Sequence, residues 1–408
     1  MLRSGSICAS LLYKYLTTSS DENIDSSDKY QSNLKKVKLL GDTFADYGGV
    51  LSKISQMVNY AYGVHNSNVY SDCKPINEEK TIEFFESEIL EFEDELQSYD
   101  LRVFKSGSVG QVHKAVYKDG REIVFKVQYV GLNDIFESDL YVLDMIAKFL
   151  FSETNMKEGM ADIQKQLWEE LDYRIEARNQ DFLGKCWKDD IYISIPKLIP
   201  ELCNEKLLCM EYVSVGESLN EFLDTSTKEE ITFIGNQMVR FMFTNLFNHK
   251  LIYTDVHYGN FIIQDKSRLV VLDFGSVNYI DDKIYPYIGT MLSSLYEEDK
   301  VEFYSIMESV GVIHPDRPLS PESSKYMWDY FTLQLRPWIQ KESEDFEFTS
   351  DWLDECGIRN VALMNEWVLP SNMIWLNKLC HGFTHVIGKM NFKGNYVHLF
   401  KELGVFKN

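Results

Sequence analysis

Asp255-Val256-His257-Tyr258-Gly259-Asn260 is followed, thirteen residues on, by Asp273-Phe274-Gly275, which stands directly after the apolar run 269–272. The first stretch has the spacing D-x-x-x-x-N; the second places another aspartate at the end of a strand-like run. Phosphoryl transfer requires this set of groups. Asp255 would orient or accept the proton of a substrate hydroxyl, and Asn260 and Asp273 would hold Mg2+ on the phosphates with hard oxygen ligands. D-F-G by itself arises easily by chance, so its weight depends on what precedes it.

Upstream, Lys105-Ser106-Gly107-Ser108-Val109-Gly110-Gln111-Val112 opens a β-rich stretch. Gly107 and Gly110 make half of a glycine-rich loop, and Lys105 stands where a third glycine would complete G-x-G-x-x-G-x-V. Glycine suits such a loop because backbone N–H groups must approach phosphate oxygens without a Cβ in the way. The runs 112–117 and 122–127 are joined across Asp119-Gly120, a hairpin signal. The second run carries Lys126, sixteen residues after Gly110, in the slot of a lysine that pairs the α- and β-phosphates. Gly107, Ser108, Val109 and Gly110 would cradle phosphate. Residues 206–213 look like the strand that leads to an adenine: the backbone of Glu211 and Val213 would meet the base, with Met210 at the back of the pocket. Glycine loop, strand lysine, D-x-x-x-x-N and D-F-G stand in the order that ATP-dependent phosphotransfer uses.

The wider chain sets limits. It has 408 residues, 41 basic against 63 acidic side chains, and a net charge of −22. Length suggests two or three compact units, and the 45% hydrophobic content is enough to fill them. No basic stripe is present, so nucleic acid is excluded as the main partner. Seven scattered cysteines without a C-x-x-C pair suit a reducing compartment. No apolar stretch reaches 18 residues, so no transmembrane helix is expected. Residues 1–20 lack acids and carry one arginine, which fits either a weak transit peptide or a loose terminus and leaves cytoplasm and mitochondrion both open.

Together these residues resemble the UbiB family of atypical kinases, the AarF-domain-containing proteins linked to ubiquinone biosynthesis. Ser108-Val-Gly-Gln-Val-His113-Lys-Ala115 is similar to the family's S-I-G-Q-V-H-x-A, and Lys126-Val-Gln128 with Gly131 to its K-V-Q-x-P-G. Glu170-Leu-Asp172-Tyr-Arg-Ile-Glu176-Ala-Arg-Asn179 is similar to its E-x-D-Y-x-x-E-A-x-N, and Lys53-Ile-Ser55-Gln56 to its K-x-G-Q. The resemblance implies an α+β, bilobal protein-kinase-like fold with a helical N-terminal extension and a mostly helical C-terminal lobe. The expected division is a tail over 1–33, an extension over 34–99, an N-lobe over 100–213 and a C-lobe over 214–408. It further implies that Glu176, with Glu170 as the fallback, pairs with Lys126. Lys53, Gln56 and Asp172 would gate the active-site mouth. ATP and Mg2+ are the implied cofactors.

The departures are Ser55 for the glycine of K-x-G-Q, Val256 and Tyr258 for the prolines of D-P-H-P-G-N, and Tyr253 for the histidine two residues before Asp255. The family's alanine-rich loop is here Lys105, Ser106 and Gly107. None removes a metal ligand or the phosphate lysine. No A-P-E follows Asp273-Phe-Gly275, and a long activation loop has no room before the helices begin. A small-molecule or lipid substrate is therefore expected over a protein substrate, with peripheral membrane association as a corollary of the lipid case. A nucleotide-binding scaffold that hydrolyses little is the alternative.

Helical spacing is expected over 34–62, over the acidic run 78–100 as a solvated face, over 134–179 as a long helical stretch, and after 283. His381 and His385 are read as a structural pair rather than a zinc site. His257 is read as holding its loop. Trp328, Trp338, Trp352, Trp367 and Trp375 are read as the core of a helical subdomain.

Overall fold

The computed structural model describes residues 77–150, 164–165, 167–313, 316, 318–363 and 374–407. These divide into two units by contact: 77–216 with 270–276, and 217–269 with 277–407.

In the first unit, α1 (Glu78–Ile89) is followed by β1 (Leu96–Tyr99), β2 (Lys105–Ser106), β3 (Gly110–Tyr117), β4 (Glu122–Gln128), α2 (Leu132–Leu150), α3 (Tyr173–Cys186), β5 (Ile193–Ser194) and β6 (Leu207–Glu211). The sheet is antiparallel, in the order β1-β3-β4-β6 with β2 also on β3. The β3–β4 hairpin turns at Gly120, whose φ of 91° belongs to a region costly for any side chain.

Period-two alternation gives β4 two faces. Ile123, Phe125 and Val127 point into a cluster with Phe85 and Ile89 of α1, Leu207 and Cys209. Val124 lies on the other face with Leu208, Met210 and, from α3, Tyr173 and Ala177. Lys126, one residue from both Phe125 and Val127, shares that second face and meets α3 there. Helix α1 is tied to the end of β4: Asn77 Nδ2 donates to Val130 O at 2.9 Å, and Thr81 Oγ1 accepts from Val130 N at 3.1 Å.

One expectation is corrected here and another refined. The acidic run is not one solvated helix: Phe85 and Ile89 of α1 are fully buried, and its end is the strand β1. The helical stretch expected over 134–179 is interrupted before α3. Asp172 adopts an extended conformation and accepts from Arg174 N, so the chain must restart a helix at Tyr173.

In the second unit come β7 (Glu217–Ser218), α4 (Leu219–Thr225), α5 (Lys228–His249), β8 (Leu251–Tyr253), β9 (Phe261–Gln264) and β10 (Arg268–Val271), where the chain re-enters the first unit. Then follow β11 (Val277–Tyr279), α6 (Tyr285–Tyr296), α7 (Lys300–Ser309), α8 (Pro321–Leu335), β12 (Phe346–Glu347), α9 (Ser350–Leu363), α10 (Ile374–Met390), β13 (Lys393–Gly394) and α11 (Val397–Glu402). Capping boxes Ser218/Glu221 and Thr227/Glu230 start α4 and α5. Helix α5 buries Met238, Phe241, Met242 and Phe243, and Phe243 lies edge-on to Trp338 and Phe400 at 4.8 and 4.9 Å. Trp328, Trp338 and Trp352 are buried, as core residues should be; Trp367 and the side chain of Trp375 lie outside the described residues.

Candidate active site

The first unit carries a partly buried charge triad. Lys126 Nζ donates to Glu176 Oε1 and Oε2 at 2.9 and 2.8 Å and to Asp273 Oδ2 at 2.9 Å. Glu176 is 3% exposed. One lysine charge faces two carboxylates, which leaves one negative charge uncompensated in a place that disfavours it. Burial, with Asp273 adding to it, therefore pushes the Glu176 carboxyl up to about 7 against the pull of Lys126. Burial lowers the Lys126 pKa, but Asp273 and Glu176 outweigh that and hold it well above the ordinary value.

Helix α3 builds this site from one face. Tyr173, Glu176, Asn179 and Gln180 recur at intervals of three and four, so they line up and are all buried. Glu176 takes Lys126, and Asn179 Nδ2 donates to Phe274 O at 3.0 Å, holding the backbone of the D-F-G segment. Asp273 Oδ1 accepts from Gly275 N at 2.9 Å, which completes the tight turn. These bonds place 270–276 with the first unit, although in sequence the segment follows the D-x-x-x-x-N loop by thirteen residues.

Above the hairpin start, Gly107 N donates to Gly110 O at 2.8 Å, so the glycine loop closes on itself around Ser108 and Val109. Val109 O accepts from Tyr129 N at 3.1 Å, and Gly107 O accepts from the Tyr129 hydroxyl at 3.2 Å. The two glycines differ in what they require. A Cβ on Gly110 would collide with Val127 O and stand 2.6 Å from the Tyr173 hydroxyl. A Cβ on Gly107 would meet only Gly110 O, at 3.4 Å.

Met210 ends the buried stretch of β6 and Glu211 closes the strand. The Glu211 N–H is already given to Lys197 O at 2.9 Å and the Tyr212 N–H to Glu122 O at 2.9 Å. The Glu211 carbonyl and the backbone of Val213 remain as the groups expected to face a base.

Asp172 is not on the α3 face that presents Glu176. As the N-cap it accepts from Arg174 N at 3.0 Å and pairs with Arg174 Nε at 2.8 Å, and that guanidinium holds its carboxyl below the usual range. Glu170 is buried in the turn before α3 and is not a partner of Lys126. Lys53, Ser55 and Gln56 lie outside the described residues.

In the second unit, Asp255 and Asn260 are buried. Asn260 Nδ2 donates to Asp255 O at 2.9 Å and reaches Asp255 Oδ2 at 3.3 Å, so the amide fixes the loop and the carboxylate together. His257 Nδ1 accepts from Gly259 N at 3.1 Å, and its Nε2 stands 3.7 Å from Asp255 Oδ2. Tyr253, one of the departures noted above, is buried with its ring edge-on to Phe241 at 5.7 Å. The Tyr258 hydroxyl donates to Val386 O at 3.4 Å. Among the described residues no three His, Cys, Asp or Glu side chains form a metal-binding group. His385 is buried and the His381 side chain is outside the described residues.

The family model of the ABC1 atypical kinase-like domain matches residues 68–307, more than half of the chain. The chain belongs to this family. Its homologues named as kinases of the BC1-complex and COQ8 type are those of the UbiB group. The Arabidopsis thaliana chloroplastic protein Activity of BC1 Complex Kinase 8 is 28% identical over 294 residues, covering 69% of this chain and 38% of that protein. The Rattus norvegicus mitochondrial atypical kinase COQ8B is 31% identical over 196 residues, covering 46% and 36%. Across curated relatives the chain spans from 30% to 64% of their length. The Rv3197–erythromycin complex from Mycobacterium tuberculosis shares the fold, with a TM-score of 0.64 at 20% identity over 92% of this chain and 98% of that one. The protein-kinase-like α+β fold expected from sequence is thus found.

Sequence reading named Glu176 and Asp273 but gave Tyr173 and Asn179 no role. The signal for both was present as spacing: each is three residues from Glu176, on the face of α3 that must meet β4.

Proposed function

We propose that this chain binds MgATP and acts as a kinase-like phosphotransferase or ATPase of the UbiB type, on a small molecule or lipid. The observation that carries the reading is Lys126 held between Glu176 and Asp273 beside a self-closed glycine loop. A lysine so fixed has its ammonium at a defined point, and its two carboxylates keep it charged at any physiological pH.

The residues present fit both groups. Gly110 admits no side chain, as a loop pressed over phosphate requires. Asp273 and Asn260 offer carboxylate and amide oxygens, the donors that Mg2+ takes alongside phosphate and water. Bound there, the metal would neutralise charge on the transferring phosphoryl group. Asp255, buried and held by Asn260, would orient the acceptor hydroxyl and take its proton. Lys126 would pair the non-transferred phosphates, and Glu176 would keep it in place. The backbone of Glu211 and Val213 would bind the base, with Met210 behind it.

The lack of an A-P-E segment supports a small acceptor, since 276–284 contains only β11 and a turn before α6. Among the described residues no helix is long and apolar enough to cross a membrane. A lipid acceptor would therefore bring the protein to a bilayer surface peripherally. The test is MgATP binding and turnover in the wild type and in Asp255→Asn, with lipid vesicles and with phenolic compounds as acceptors. Binding with turnover that the substitution removes supports the reading. Binding without any hydrolysis or transfer leaves the nucleotide-dependent scaffold in its place.

A further inference from the structure

Tyr173 opens α3 inside the E-x-D-Y-x-x-E-A-x-N stretch, and nothing above gives it work. It is 1% exposed, with its ring packed against Val124, Ala177, Leu208 and Met210. That packing is apolar, and a phenylalanine would satisfy it equally. The hydroxyl is different: it is buried and has no hydrogen-bond partner among the described residues. A buried hydroxyl without a partner forfeits its hydrogen bonds to water, so a tyrosine here is disfavoured unless some state of the protein uses the group.

Its surroundings show which state. The hydroxyl presses against Gly110, at 2.6 Å from the point a Cβ would occupy, and the ring lies 5.2 Å from Lys126 Nζ. It is therefore underneath the glycine loop and next to the phosphate lysine. The neighbouring tyrosine under the same loop, Tyr129, already donates to Gly107 O. Burial raises the Tyr173 pKa above its ordinary value, so at neutral pH the group is a donor. A donor beside an ammonium, beneath a loop of small residues, suits an anionic oxygen.

We propose that Tyr173 is a phosphate-binding residue, its hydroxyl donating to a phosphate oxygen of the nucleotide seated under Gly107–Gly110. The inference rests on the MgATP reading above and extends it to a further contact. With nucleotide bound, a phosphate oxygen would take the hydrogen of the Tyr173 hydroxyl, which lies against Gly110. Tyr173 thereby favours nucleotides that carry phosphate over the bare nucleoside.

The test is Tyr173→Phe, which removes one oxygen and keeps the packing. Dissociation constants for MgATP and for adenosine, and the melting temperature of the free protein, are measured for both proteins. A hydrogen bond to a charged acceptor predicts MgATP binding weakened about tenfold or more, adenosine binding unchanged, and a melting temperature no lower than wild type. Unchanged MgATP affinity, or an equal loss for MgATP and adenosine, overturns the proposal and leaves the MgATP reading standing. Failure of the wild type to bind MgATP would remove both.

Discussion

On β4, Ile123, Phe125 and Val127 face α1 while Val124 and Lys126 face α3, and the two sides of this one strand are built differently. Against α1 the contact is mostly apolar: Phe85 and Phe125 lie at 5.4 Å in a buried cluster. The one ring among them that carries nitrogen, the buried His113, stacks on Phe85 at 4.4 Å. Against α3 the same sheet carries an ammonium, a buried carboxylate and an unpartnered phenol. The first side stabilises the sheet and the second side uses that stability. A net negative triad and an orphan hydroxyl are tolerable because the apolar side is well packed.

The comparison breaks first at Phe85. Phe85→Ala should lower stability by about 3–5 kcal/mol, read by chemical denaturation, because it opens a cavity in the apolar side. MgATP affinity measured well below the melting temperature should change little. A large affinity loss at full folding would mean that the two sides are not separable.

Asn179→Ala tests the charged side next. It removes the bond to Phe274 O and should cost about 1–2 kcal/mol, and here MgATP affinity should fall with it because Asp273 loses its anchor. Retained affinity would show that the Asp273–Gly275 turn holds itself.

A smaller effect concerns pH. The Glu176 carboxyl is raised from 4.5 to about 7 by burial and by Asp273. A folded pKa above the unfolded one favours the protonated protein, so this contribution is complete below pH 4.5 and is lost as pH rises through 7. Asp273→Asn removes the second charge, so the fall in melting temperature between pH 4.5 and 7 should become shallower. An unchanged slope would place the titration elsewhere.

Gly107→Ala should be nearly silent, within about 0.5 kcal/mol, since its Cβ meets only Gly110 O at ordinary contact distance. Gly110→Ala in the same assay should be strongly destabilising.

The parts of this architecture legible in the sequence were those with a fixed local spacing. The hairpin at Asp119-Gly120, the strand lysine, D-x-x-x-x-N and D-F-G each announce themselves within a few residues. What could not be read were the effects of tertiary contact. The acidic run 78–100 has a solvated look because its few apolar residues are spread out, yet Phe85 and Ile89 are the ones that cover the sheet. The break before α3 was hidden by unbroken helical periodicity, and it takes an extended Asp172 capping Arg174 N to end it. Asp172 and Glu176 stand four apart, a spacing that would put both on one helix face, but Asp172 is the N-cap and lies outside the helix. Nothing in the sequence sets Tyr173 apart from any other buried aromatic; its hydroxyl, without a partner among the described residues, does so only in three dimensions.

The central claim is that the face of β4 turned to α3 exists to hold nucleotide phosphate, and calorimetric titration of MgATP into wild type and Lys126→Met tests it most directly. The account predicts saturable binding to the wild type and a loss of at least a hundredfold in the variant, at a temperature where the melting curve of each protein shows it folded. Equal affinity in the two proteins, or no binding to the wild type, would contradict it.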